Sequence, residues 1–216
     1  MTRFFEDRIN QFYKLIIFVQ WVTDMHHCSF RERVTISKEV TQNMEVFMNN
    51  NDRLLRLRYA IDLKDTDLIK AFELGGVPVT KEEAQAILTK IQDKQVDNEK
   101  KNIYEKPINN QVFDAFLNGL IILARGPQKD KPAQAMPQKS KEIKHINNVL
   151  LKKLKIALSM TSEDILAIFA EVELYPSKGE IGAFLRREGQ RNFKPCGDEY
   201  MRNFLKGLGI YNRRKG

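Results

Sequence analysis

The chain repeats itself at a separation of 97 residues. Asn50-Asn51-x-x-Leu54-x-Arg56-Leu57-Arg58-x-Ala60 returns as Asn147-Asn148-x-x-Leu151-x-Lys153-Leu154-Lys155-x-Ala157. The register runs without a gap from Asn50/Asn147 to Leu88/Leu185, with 11 of the 39 pairs identical and most others conserving polarity. A duplicated unit must bury equivalent side chains in both copies. The repeat therefore constrains the fold more than any other feature of the 216 residues.

Each copy reads as about four short helices. In the first, Leu54, Leu57 and Ile61 recur at helical spacing; in the second, Leu151, Leu154 and Leu158 do the same. Asp65 or Thr66 is expected to cap a second helix that Gly75-Gly76 stops, and Thr161-x-x-Asp164 offers a looser cap at the same place in copy two. Thr80-x-x-Glu83 and Ser177-x-x-Glu180 are matching capping boxes, in which a hydroxyl and a carboxylate each satisfy an orphan backbone N–H. The helix that Thr80 opens is expected to run from Lys81 to about Ile91.

Phe116-Leu117-Asn118-Gly119-Leu120 and Phe204-Leu205-Lys206-Gly207-Leu208 mark the fourth helices. Their offset is 88, so the first copy holds nine extra residues, placed in the polar stretch Gln92–Lys106. A glycine inside a helix costs about 1 kcal/mol relative to alanine. Its presence at the same point in both copies predicts a neighbouring backbone packed close against it. The predicted core comprises Leu54, Leu57, Ile61, Leu68, Phe72, Ile87, Leu88, Phe116, Leu117 and Leu120, with Leu151, Leu154, Leu158, Ile165, Phe169, Phe184, Leu185, Phe204, Leu205 and Leu208 as their partners.

The expected organisation is an N-terminal extension (1–47), a first helical repeat (48–125), a Pro/Lys-rich linker (126–141) and a second helical repeat (142–216). Three prolines between Gly126 and Pro137, among lysine and glutamine, neither continue a helix nor build a core. The extension has no counterpart in either repeat. Because Met48 stands immediately before the first repeated helix, we expect the natural start there; the alternative is a genuine arm, with a helix from Arg8 to Val22. Leu15 to Val22 is apolar but short, with no small-residue cleavage site after it, which argues against a secretory signal.

Composition narrows the classes further. Apolar residues at 42% and charged residues at 30% describe a globular chain, and no run approaches the roughly 18 apolar residues of a membrane helix. Two cysteines, Cys28 and Cys196, make no disulfide framework, so a reducing cytoplasmic setting is expected. The net charge of +8 is uneven, with +6 of it after residue 139.

Residues 48–216 resemble the YehS-like bacterial proteins, a family of unknown function built from two tandem copies of one helical domain. The resemblance is carried by the Asn-Asn start before a Leu-rich basic helix, the Asp-Leu-Ile and Asp-Ile-Leu second helices, the Phe-Leu-x-Gly-Leu fourth helices, and Cys196-x-Asp198 ahead of the last one. In the first repeat Pro107-Ile108-Asn109 is read at the Cys-x-Asp position, so the cysteine is not a shared functional group. The resemblance implies an all-α fold of two tandem repeats and no particular activity.

No P-loop, dinucleotide fingerprint, zinc-protease helix or nucleophile elbow is present, and no cofactor or metal site is expected. His26-His27-Cys28 places adjacent side chains in different directions, a poor chelate. Cys196 reads as a buried structural thiol and Asp198 as a helix cap. Acidic pairs at Asp65/Asp67, Glu82/Glu83 and Glu163/Asp164 fall in first turns, where they complement the helix dipole. The leading expectation is a non-enzymatic module that binds another protein. The second is nucleic-acid binding through Arg56, Arg58, Lys152, Lys153, Lys155, Arg186, Arg187 and Arg191, with Phe193 and Tyr211 available for base stacking. An enzyme without a recognisable motif ranks third.

Overall fold

A computed structural model describes residues 48–91, 102–127 and 143–215. Every described residue lies in one compact unit, Val46–Gly216. The expectations for the extension, the Arg8–Val22 helix, the His-His-Cys fragment and most of the linker lie outside the described residues.

The first repeat contains α1 (Asn50–Ala60), α2 (Asp65–Leu74), α3 (Lys81–Leu88) and α4 (Asn110–Arg125); the second contains α5 (Ile146–Ala157), α6 (Ser162–Ala170), α7 (Lys178–Leu185) and α8 (Asp198–Lys215). Between α3 and α4 a short ladder joins β1 (Lys90–Ile91) to β2 (Ile103–Tyr104), antiparallel, with Lys90 opposite Tyr104 and Ile91 opposite Ile103. This ladder belongs to the insertion, and the two repeats themselves are helical. No helix among the described residues is long and apolar enough to cross a membrane.

Corresponding helices follow the same local rules. The turn after α1 puts Asp62 at φ 50°, and the turn after α5 puts its equivalent Ser159 at φ 54°. Short polar side chains tolerate this left-handed geometry better than most. Both capping boxes expected at Thr80 and Ser177 form, and Thr161 with Asp164 makes a third. The start of α2 differs from expectation: the helix begins at Asp65, and Lys64 occupies the cap without a side-chain bond. Helix α3 also stops short of Ile91. Thr89 turns extended (ψ 119°) while its Oγ1 donates to the Gln85 carbonyl, and the chain continues into the ladder.

One core runs through both repeats. Of the twenty predicted core residues, sixteen are buried, and Ile61, Leu88, Leu158 and Leu185 pack against them half-exposed. Helix α4 packs on α2 of its own repeat and on α5 of the other; α8 packs on α6 and reciprocally on α1. The in-helix glycines explain the first half of that pattern. A methyl carbon on Gly119 would overlap the Ala71 carbonyl of α2, and one on Gly207 would overlap the Ile168 carbonyl of α6. Ala71 and Ile168 are equivalent in the 97-residue register. Only a residue without Cβ admits this backbone approach.

Candidate anion-binding face of the second repeat

The paired asparagines that open each repeat are not surface markers; all four are buried. Asn148 Nδ2 donates to the carbonyls of Phe184 and Lys194, both at 2.8 Å, and Oδ1 accepts from Cys196 N at 2.9 Å. Asn51 repeats all three bonds, to Ile87 and Lys106 (2.8 Å each) and from Ile108 N (3.0 Å). Each asparagine thus fastens both ends of the loop between the third and fourth helices to the first helix. Asn147 Nδ2 reaches Cys196 O and Asp198 Oδ1, as Asn50 Nδ2 reaches Ile108 O and Asn110 Oδ1. The correct counterparts of Cys196 and Asp198 are therefore Ile108 and Asn110, one residue later than the sequence alignment placed them.

The same staple carries different loops. In the first repeat it holds the hairpin, which is tied down further by buried Asp52: Oδ1 accepts from Asn102 Nδ2 at 2.7 Å and from the Tyr104 hydroxyl at 2.8 Å. Burial, followed by the bond to Asp52, holds the Tyr104 phenol above its ordinary range. In the second repeat the staple holds a basic turn. Arg186 leaves α7 in extended geometry, Arg187 N donates to Gln190 Oε1, Gly189 and Asn192 take left-handed φ of 85° and 62°, and Lys194 N returns to the Ala183 carbonyl.

That return forms a depression of about 250 Å³ whose walls come from both sides. His145, Asn148, Val149 and Lys152 supply one face of α5 at helical spacing, and Arg186, Arg187, Glu188 and Phe193 supply the turn. Lys144 completes the rim. The His145 and Phe193 rings lie 5.1 Å apart, tilted by 56°, and His145 Nε2 is 3.6 Å from Glu188 Oε1. Arg186 also borders a second depression of about 390 Å³, lined by Gln190, Arg191 and Asn192, and its Nη1 donates to the Arg191 carbonyl. The equivalents of Lys152, Arg186 and Arg187 in the first repeat are Leu55, Thr89 and Lys90, so the cluster belongs to one repeat only.

The structure thus gathers Lys152, Arg186 and Arg187 around one depression, with Arg191 beside it. It places the other candidates elsewhere. Arg56 is exposed on α1, Arg58 pairs with Asp65 at 2.6 Å, and Lys155 is half-buried in the last turn of α5. Lys153 points between repeats, with Nζ on Asp114 Oδ1 (2.5 Å) and Asn118 Oδ1 (2.6 Å); burial lowers its pKa and Asp114 opposes that shift. Arg53, another basic residue of α1, is buried and bonded to Asp198 Oδ1 at 2.7 Å. Tyr211 lies on α8, its hydroxyl on Asp164. Lys144 and His145 escaped the sequence reading, since only the folded-back turn brings them beside Arg186.

One further assignment changes, and the expectation for Cys196 stands. The Asp198 carboxylate, expected to cap its own helix, accepts from Met48 N, Arg53 and Asn147 instead. Cys196 is buried, and burial with the nearby Asp198 charge pushes its thiol up to about 12, which suits structure rather than nucleophilic attack.

Comparison with known proteins agrees with the duplicated architecture. A family described as "Protein of unknown function (DUF1456)" matches residues 50–126 and again 147–214. "Uncharacterized protein YehS" of Escherichia coli (strain K12) is 38% identical over 161 residues, covering 74% of this chain and 94% of that protein. No solved structure matches. With both copies of the helical unit matched and this relative covered almost end to end, the chain belongs to the DUF1456 family of proteins of unknown function.

Proposed function

We propose that this is a non-enzymatic binding protein and that the basic face of the second repeat is its contact surface for nucleic acid. One observation carries the reading: Lys144, Lys152, Arg186 and Arg187 rim a single depression, and its one acidic liner, Glu188, lies beside His145. Lysines and arginines clustered this closely can neutralise neighbouring phosphates and so release the cations condensed on a nucleic acid. The Asn148 bonds fix the loop before any partner arrives, which reduces the ordering cost of association.

Titrating a labelled oligonucleotide by fluorescence anisotropy across a salt series tests this. Affinity should fall steeply with salt. The triple variant Lys152→Ala/Arg186→Ala/Arg187→Ala should bind about tenfold or more weakly at fixed salt, with a slope shallower by about one for each cation removed. Equal binding by the triple variant would overturn the proposal.

A protein partner, the first expectation from the sequence, has a separate observation in its favour. Ile91 and Ile103 face each other across the hairpin ladder and are 49% and 42% exposed. Exposed apolar pairs on a short, open ladder suit docking by another chain. Photocrosslinking from position 91 in cells should trap a defined adduct that Ile103→Ser abolishes; diffuse crosslinking unaffected by Ile103→Ser would dismiss this reading.

A further inference from the structure

We infer that the depression on the second repeat takes one unpaired base of a single-stranded nucleic acid against Phe193, while flanking phosphates lie on Lys152, Arg186 and Arg191. The inference rests on the proposed role of the basic face and specifies its ligand. Three observations lead to it.

The first is the character of the recess. Its cations are exposed, but its lining also includes half-buried Phe193, Val149 and His145. A duplex keeps its bases stacked inside and offers phosphates to a protein surface, so it has no use for an aromatic wall in a cavity. A single strand presents a π-face with every base, and stacking on an aromatic side chain is worth roughly 1–3 kcal/mol per base. The second is size. At about 250 Å³ the recess falls below the roughly 300–1,000 Å³ of pockets that enclose drug-sized ligands. One planar heterocycle suits it better than a dinucleotide cofactor. The third is continuity. Arg186 is shared with the neighbouring depression that Arg191 borders, so positive charge continues past the recess in one direction. A free mononucleotide would leave that second depression empty, whereas a chain would follow it.

The test uses the full-length protein and five probes: labelled oligo(dT) and oligo(rU) of ten nucleotides, a ten-base-pair duplex, inorganic polyphosphate competing at matched charge, and a mononucleotide. Single strands should bind at least tenfold tighter than the duplex or the mononucleotide. Phe193→Leu, which keeps apolar volume but removes the π-face, should erase about tenfold of single-strand affinity and leave polyphosphate competition unchanged. Phe193→Tyr should restore binding, and matching thermal melts of the two variants will establish that folding is intact. The oligo(dT) and oligo(rU) arms identify the strand chemistry. Equal affinity for duplex and single strand, or a Phe193→Leu variant that binds as well as Phe193→Tyr, would overturn the base-binding inference alone. If the Lys152/Arg186/Arg187 triple variant also leaves all five probes unaffected, the basic-face reading falls with it.

Discussion

The two repeats share their staples and differ at their centre. Asn51 and Asn148 make the same three bonds, Gly119 and Gly207 admit the same backbone approach, and the reciprocal packing of α4 on α5 and α8 on α1 joins the copies about a pseudo-twofold arrangement. Yet where the second repeat has Leu150, fully buried, the first has Arg53. Where the first has Asn110, the second has Asp198. One half of the junction thus holds a charged pair, and the other holds a leucine and an asparagine in equivalent positions. The geometry of the fold resides in the shared backbone staples, and the polarity of the junction is free to vary above them.

Breaking the charged half should have the largest effect. Arg53 donates Nε to Asn147 Oδ1, Nη1 to the Met48 carbonyl and to Asn50 Oδ1, and Nη2 to Asp198, so it spans both asparagine sites. Burial draws its pKa down, and the Asp198 charge opposes that shift. Removing one member of a buried pair costs about 3–5 kcal/mol, whereas apolar replacement of the whole pair is often close to neutral. Arg53→Leu alone should lower stability by about that amount, and Asp198→Asn alone by less, about 2–3 kcal/mol, because the Asp198 side chain is 24% exposed. The double variant copies Leu150 and Asn110, and should recover most of the loss, ending within about 1–2 kcal/mol of the parent. Urea midpoints for the four proteins measure the coupling. Additive losses would mean that the two halves of the junction are not interchangeable.

The close-approach glycines sharpen the comparison on a second axis. Gly119→Ala should cost about 3 kcal/mol, the upper end for forced overpacking, because the added carbon meets backbone that cannot rotate away. Gly207→Ala should cost somewhat less, since its overlap with the Ile168 carbonyl is shallower. Thermal melts of both variants would reveal whether the α2–α4 contact is the tighter of the two; the reverse order would contradict the geometry.

These glycines were legible in the sequence because their signal is local: a helix breaker retained at one place in two copies. The same holds for the apolar stripes and the capping boxes, whose partners lie within four residues. What stayed hidden depends on distant partners. Arg53 looks like any charged residue of an amphipathic helix, and its partner Asp198 stands 145 residues away. The asparagines looked like a start marker because the carbonyls they hold belong to loops that pattern rules do not place. Lys152, Arg186 and Arg187 could be named from charge alone. Their meeting with Lys144, His145 and Phe193 requires Asn148 to pull the turn back over α5. The insertion was countable from the offset, but its ladder owes its position to the Asp52–Tyr104 bond, and Val149 replaces Asp52 in the other copy.

The smallest effect is a gain, obtained by transplanting one residue between copies. Thr161 caps α6: its Oγ1 accepts from Asp164 N at 3.1 Å, and Asp164 Oδ2 accepts from Thr161 N at 2.8 Å. The equivalent residues in the first repeat are Lys64 and Asp67. Lys64 already has the extended geometry of a cap (φ −69°, ψ 157°), is exposed, and makes no side-chain cap bond, while Asp67 stands at the position needed to close the box. Lys64→Thr should therefore complete a fourth capping box and add about 1 kcal/mol, or roughly 3 °C in Tm. The gain carries a pH signature. Backbone and hydroxyl bonds from Thr161 hold the Asp164 carboxyl below its ordinary 3.8. A carboxyl whose pKa is depressed by folding stabilises the fold above its unfolded value and loses that contribution as pH falls through the folded one. The Asp67 carboxylate in the variant should behave likewise, so the advantage of Lys64→Thr should be full at pH 7 and shrink below about pH 4. A Tm gain that persists undiminished at pH 2.5 would show that the substitution acts through something other than the box.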